Sequence, residues 1–180
     1  VEAMSLYNHV GNKDDLLDRV LDLVVSEIDL PSGEVGWREA MRRRAVSARE
    51  VFARHPWASA LIDSRQTSGP ARLRYFDWVI GTLRRAGFPV ETALRAFSLM
   101  DSYVYGFARQ RLNASAGGGD PRETAEAFLS SIPAGEFPYL VEVVTHHIRK
   151  AGYDEGADFE FGLGLILDGL ERARDSGRRP

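Results

Sequence analysis

The chain of 180 residues has no cysteine, which removes disulfide staples and thiolate-bound metals at once. Histidine is scarce. The four residues His9, His55, His146 and His147 show neither the HExxH nor the HxxxH spacing that brings two imidazoles onto one face of a helix. Neighbouring side chains on a helix point to different sides, so His146 and His147 do not share a metal, and no metal site or cofactor is expected. No apolar run approaches the roughly 20 residues that span a bilayer, and no signal peptide opens the sequence, so no membrane partner is expected and the expected location is cytoplasmic. Charge of one sign is also missing. Lys and Arg number 23 against 26 Asp and Glu, a net charge of -3, and any contact with nucleic acid must therefore be local. There is no phosphate-binding glycine loop and no recognisable pairing of nucleophile and base, which speaks against an enzyme.

What remains is an ordinary globular composition, 44% hydrophobic and 27% charged, enough to build a core. Apolar residues recur every three or four positions, strand-like alternation is absent, and the reading is all-α. Asn12 is a natural N-cap with Asp15 three residues on, opening a helix over 13–29 that Pro31 and Gly33 end. Further helices are expected over 36–55, stopped by His55-Pro56, then 57–63, 71–86 with Gly87 behind it, 89–113, 122–131, 137–151 and 155–174. Gly117 to Gly119 mark the one plainly flexible connection.

Two of these helices are apolar almost all round. Leu94, Phe97, Leu99, Met100, Tyr103, Val104, Tyr105 and Phe107 leave little polar surface on one; Phe159, Phe161, Leu163, Leu165, Ile166, Leu167 and Leu170 leave little on the last. Helices without a polar face need cover on every side. A second copy of the chain supplies it through a four-helix bundle of the 90–113 and 155–174 helices, with Gly162, Gly169 and Ala173 allowing close approach. The other possibility is packing within one chain.

The opening stretch carries the most specific pattern. Ser5-Leu6-Tyr7-Asn8-His9-Val10-Gly11-Asn12-Lys13, followed by Leu16-Leu17, resembles the recognition helix and following helix of the TetR family of bacterial regulators. Trp37, the Arg49 region, His55-Pro56-Trp57, Gly69-Pro70, Leu83 to Gly87, Tyr103 to Phe107 and Phe159 to Glu171 resemble the ligand-binding domain of its tetracycline-repressor subgroup. The resemblance implies that residues 1–12 are the remnant of a helix-turn-helix whose first two helices precede Val1, and that 13–180 form a ligand-binding and dimerisation domain. It places Ala3, Met4 and Ser5 against base edges, with Tyr7, Asn8, His9 and Lys13 on bases or phosphates; Asn suits adenine, Met and Ala suit thymine methyls, and Lys is a phosphate charge. Tyr7 and His9 are equally compatible with packing inside the small domain.

The same resemblance puts an effector cavity between the 13–29, 36–55, 71–86 and 89–113 helices. Where the tetracycline repressor has polar residues and a metal-binding imidazole, this chain places Arg44, Ala48, Ile62, Arg65 and Val79, so a magnesium-tetracycline ligand is not expected. Helical geometry separates Arg44 from its neighbours: Arg42 and Arg43 point away from the stripe of Trp37, Ala40, Met41, Ala48, Val51 and Phe52, while Arg44 falls within it. Asp101 sits likewise among Leu94, Phe97, Val104 and Ala108. Three outcomes follow: a structural ion pair between Arg44 and Asp101, a guanidinium that snorkels to water past the helix edge, or one that meets an anionic or carbonyl group of a ligand. Arg65 is expected to be solvated. Trp57, Tyr75, Trp78, Met100, Tyr103 and Phe107 are the candidates to line a largely apolar cavity.

The function expected from all this is a ligand-responsive repressor that binds operator DNA as a homodimer and is released by a small, largely apolar effector. An all-α enzyme using the same cavity, or a dimerisation module without effector, are the alternatives.

Overall fold

The computed structural model describes residues 11–32, 35–62, 65, 69–115, 120–133, 135–149 and 155–176. The candidate DNA-contact residues Ala3, Met4, Ser5, Tyr7, Asn8 and His9 lie outside the described residues. Among those described there are eight helices and no strand: α1 (Lys13–Ser26), α2 (Trp37–Arg54), α3 (Pro56–Leu61), α4 (Pro70–Arg85), α5 (Val90–Ser115), α6 (Pro121–Ser131), α7 (Pro138–Arg149) and α8 (Glu155–Ser176). None is long and apolar enough to cross a membrane.

Local chemistry sets most of the boundaries. Asn12 is extended, and its side-chain oxygen accepts the Asp15 N–H at 2.8 Å while the Asp15 carboxylate accepts the Gly11 N–H at 3.0 Å, so two otherwise orphaned donors are satisfied reciprocally. α1 closes at Ser26, short of the expected 29. Its last turn tightens as Ile28 N–H bonds the Val25 carbonyl, and Asp29 N–H leaves for the Ser47 hydroxyl of α2 at 2.8 Å. Between α2 and α3 the chain bends at His55, with Pro56 in the first helical position of α3, where its missing N–H is harmless. α4 ends in a Schellman turn: Gly87, at φ 91°, sends its N–H to Arg84, and Phe88 sends its own to Leu83. Phe88 and Leu83 are both buried, which joins the turn to the core.

α5 is the spine. It packs against α2, α3, α4 and α8, and its Ala93, Ala96, Met100 and Val104 meet Met41, Ala45, Ala48 and Phe52 of α2 and Phe159, Leu163 and Leu167 of α8 in one core. Small residues on α5 and α2 let the backbones approach while the large side chains interdigitate. The opposite faces are bare: Leu94, Leu99, Phe161 and Leu165 are exposed in the single chain, on the two helices expected to form the bundle. Gly162 departs from that expectation. A Cβ there would collide with the Tyr103 hydroxyl, so the close approach it permits is to α5 of its own chain, where Tyr103 donates to the Phe159 carbonyl at 3.0 Å. α6 and α7 pack principally on each other.

Candidate functional site

Among the described residues the interior holds one charged cluster, built from three helices. Arg44 lies inside the apolar stripe of α2, fully buried, and Asp101 is 5% exposed on α5. Arg44 Nη1 donates to Asp101 Oδ1 at 2.5 Å and to the Tyr75 hydroxyl oxygen; the Tyr75 hydroxyl in turn donates to the same carboxylate oxygen at 2.8 Å. Tyr105, four residues after Asp101 and so on the same face of α5, donates to Oδ2 at 3.0 Å. Arg42 and Arg43 do point outward, to Glu39 and Glu160 and to Asp29 respectively.

Burial pushes the Tyr75 and Tyr105 hydroxyls well above the ordinary phenol range, and the nearby Arg44 charge does not reverse it. Both therefore remain hydrogen-bond donors. Burial opposes the Arg44 charge too, but the oxygens of Tyr75 and Asp101 outweigh it and the guanidinium stays protonated. A buried pair of this kind is held by its mutual attraction against a large desolvation penalty, and removal of one partner costs about 3–5 kcal/mol.

Three members of the cluster reach a cavity. Tyr75, Asp101 and Tyr105 form its polar side together with Arg72; Val25, Ile62, Leu73, Phe76 and Phe97 form the rest of a wall enclosing about 270 Å³. Phe97 meets Phe76 edge-on at 4.9 Å between ring centroids and Tyr75 at 6.2 Å. An apolar chamber with a few convergent polar groups suits a small organic ligand. Among the described residues no group of three or more His, Cys, Asp or Glu is placed to hold a metal. A larger cleft of about 470 Å³ lies elsewhere, between Pro31, Ser32 and Val35 and the helices α2, α4 and α8, with Trp37, Trp78, Arg85 and Arg174 in its wall. It is larger but has no part in the charged cluster.

The candidate ligand residues divide accordingly. Ile62, Tyr75 and Asp101 line the smaller cavity and Arg44 stands behind it, while Trp78 lines the larger cleft. Ala48, Val79 and Met100 are packed in the core and line neither. Trp57 is half exposed against His55, and Tyr103 and Phe107 gather around Phe159 instead. Phe97 and Tyr105, absent from the candidate set, are found four residues on either side of Asp101, a spacing that places all three on one face.

Arg65 is not solvated as expected. It is 15% exposed, bound to Asp14 at 2.6 Å and Asp18 at 2.7 Å. The reason is a stripe of acids on α1 at four-residue spacing. The third of them, Asp22, accepts the N–H groups of Ala71 and Arg72 at 3.1 and 2.9 Å, capping α4 from another helix. Gly69 is the residue that leaves room, since a Cβ there would strike the Asp22 carboxylate. Lys13 is exposed at the start of the same helix.

Comparison with known proteins places this arrangement. The family described as tetracyclin repressor-like, C-terminal domain, matches residues 30–174. The HTH-type transcriptional repressor DrrR1 of Streptomyces coeruleorubidus is 31% identical over 185 residues, 94% of this chain and 65% of that protein. An HTH-type transcriptional regulator of Saccharopolyspora erythraea is 41% identical over 106 residues, 58% of this chain and 44% of its own length. The chain thus spans less than two thirds of either relative. Among solved structures, the Streptomyces coelicolor TetR family protein ActR in complex with actinorhodin superposes with a TM-score of 0.78 at 30% identity, covering 97% of this chain and 83% of that one.

Proposed function

This chain belongs to the tetracycline repressor-like branch of the TetR family of transcriptional regulators, and from that membership we propose that it is the sensing and dimerising part of a ligand-responsive repressor. The observation that carries the reading is the chamber of about 270 Å³ whose apolar wall is broken by Tyr75, Asp101 and Tyr105. Ile62 and Phe97 supply shape, the hydroxyls supply orientation, and Arg44 sets the charge behind them. Residues 1–12 serve as the remnant of the DNA-reading unit, with Ala3, Met4, Ser5, Tyr7, Asn8, His9 and Lys13 at the operator, and 13–180 as the sensor. Two copies join through the exposed faces of α5 and α8, and the dimer works in the cytoplasm. The relatives are named regulators rather than enzymes.

Coupling runs through α1. Val25 of α1 is in the cavity wall, Arg65 grips Asp14 and Asp18, and Arg72, also in the wall, reaches the Ile62 and Arg65 carbonyls at 3.4 Å. A ligand that displaces Ile62 or Arg72 therefore pulls on the helix that follows the recognition segment. Release of DNA equals the differential affinity of the ligand for the two arrangements: about 2.8 kcal/mol for a hundredfold effect.

The full-length protein is expected to bind a sequence upstream of its own gene, with affinity falling as salt rises. Failure to find any such site in a footprinting experiment removes the repressor reading.

A further inference from the structure

The larger cleft, of about 470 Å³, shares no lining residue with the chamber. Its wall brings the indoles of Trp37 on α2 and Trp78 on α4 together with the guanidiniums of Arg85 on α4 and Arg174 on α8. Among the described residues no carboxylate lines it, whereas Asp101 stands in the chamber wall. The two cavities therefore offer different chemistry, and the sensor reading uses only the smaller one.

The two guanidiniums of the cleft are not equivalent. Arg174 pairs with Asp175 at 2.9 Å and Glu171 at 3.5 Å, and lies over the rings of Trp37 at 5.6 Å and Phe88 at 5.9 Å. Its charge is matched, and it holds Trp37, which also meets Phe88 edge-on at 4.9 Å between centroids. Arg85 is exposed, and among the described residues its guanidinium bonds only the neutral Thr82 hydroxyl, at 3.2 Å. Gly81, one turn earlier, leaves that guanidinium its place, since a Cβ there would stand 3.1 Å from Nη1. Trp78 is half-buried and packed against the core. The wall thus offers flat apolar side chains fixed by packing and one positive charge with no carboxylate partner among the described residues.

We propose that this cleft is a second ligand site, distinct from the chamber, that takes a planar aromatic monocarboxylate: the carboxylate pairs with Arg85 and the ring packs on Trp37 and Trp78. A carboxylate is the anion a guanidinium fork holds with two parallel hydrogen bonds. An aromatic ring gains on indole beyond the area it buries. Ammonium ligands meet Arg85 and Arg174 as like charges, and a phosphate dianion brings more charge than the one unmatched guanidinium balances. The site goes beyond the sensor reading and does not depend on it.

Fluorine NMR of the full-length protein labelled with 5-fluorotryptophan reads the site directly, because Trp37 and Trp78 line the cleft while Trp57 lines neither cavity. Three probes are titrated: 2-naphthoate, its neutral amide 2-naphthamide, and decahydronaphthalene-2-carboxylate, which keeps the charge but is not flat. With 2-naphthoate the Trp37 and Trp78 resonances are expected to shift along one saturation curve while Trp57 stays. The amide and the saturated acid are each expected to bind about tenfold more weakly, about 1.4 kcal/mol. Arg85→Ala, at an exposed position, is expected to weaken 2-naphthoate about tenfold without altering the amide, and Arg85→Lys to stay within about threefold of the parent. Resonances of Trp37 and Trp78 that do not move, 2-naphthoate binding no tighter than either other probe, or an affinity indifferent to Arg85→Ala overturns the second site. None of these outcomes touches the regulator reading, which fails separately if the protein finds no operator.

Discussion

At the scale of single residues, the Arg44–Asp101 pair dominates the energetics because both charges are out of water. Asp101→Asn leaves a guanidinium buried without its counter-charge and is expected to lower unfolding free energy by about 3–5 kcal/mol, read from urea denaturation. Replacing both, as in Arg44→Met with Asp101→Leu, is expected to recover most of that loss; a double variant as unstable as the sum of the singles contradicts this view of the pair. The tyrosines give a pH signature. Burial raises the Tyr75 and Tyr105 pKa in the folded state above the 10.0 of a free phenol, so the unfolded chain loses these protons first as the solution becomes alkaline. Their contribution to stability is complete below about pH 10 and is lost above it. In a spectrophotometric titration Tyr75 and Tyr105 are expected to ionise only as the chain unfolds.

Helical periodicity made Arg44 legible in the sequence, since only an inward guanidinium fits the stripe of α2. It did not decide between ion pair and ligand contact, because one side chain can serve Asp101 through Nη1 and still present a free edge.

At the scale of elements, boundaries followed from residues with a local preference: Asn12, Pro56, Pro70 and Gly87 each mark a helix end as their chemistry requires. The early close of α1 did not, because it depends on Ser47, 18 residues further along. Arg65 was illegible for the same reason. Its partners Asp14 and Asp18 are distant in sequence, and an arginine in a polar loop carries no periodicity. The α1 contacts are expected to matter more to signalling than to stability. Arg65→Ala is expected to leave ligand affinity within about twofold while weakening ligand-driven release of DNA about tenfold, a coupling change of about 1.4 kcal/mol. Release as strong as in the parent protein shows that α1 is moved by another route. Asp22→Ala removes the cap of α4 and is expected to cost about 1 kcal/mol in thermal or urea unfolding.

For the whole molecule, the all-α class and the need of the 90–113 helix for cover on every side were visible in composition and spacing, but the chamber was not. It forms where α1, α4, α5 and the residue after α3 converge; Val79 and Met100, on helices that do contribute to its wall, and Ala48, on α2, which does not, are packed in the core. The exposed Leu94, Leu99, Phe161 and Leu165 belong to the faces where a second copy is expected to bind. Sedimentation of the chain as a dimer, and of Phe161→Lys as a monomer, is the expected result; a monomeric parent chain contradicts the bundle.

The coupling of chamber to DNA is open to a single titration. Operator affinity of the full-length protein is to be measured by fluorescence anisotropy with and without a saturating small-molecule probe selected by thermal-shift screening for binding to this chain, in the parent and in Ile62→Trp, which fills the chamber. The expected result is a rise of at least about tenfold in operator Kd for the parent, about 1.4 kcal/mol, and no further rise on adding the probe to the filled variant. A probe that binds the protein yet leaves operator Kd within twofold, or that releases both proteins equally, contradicts it.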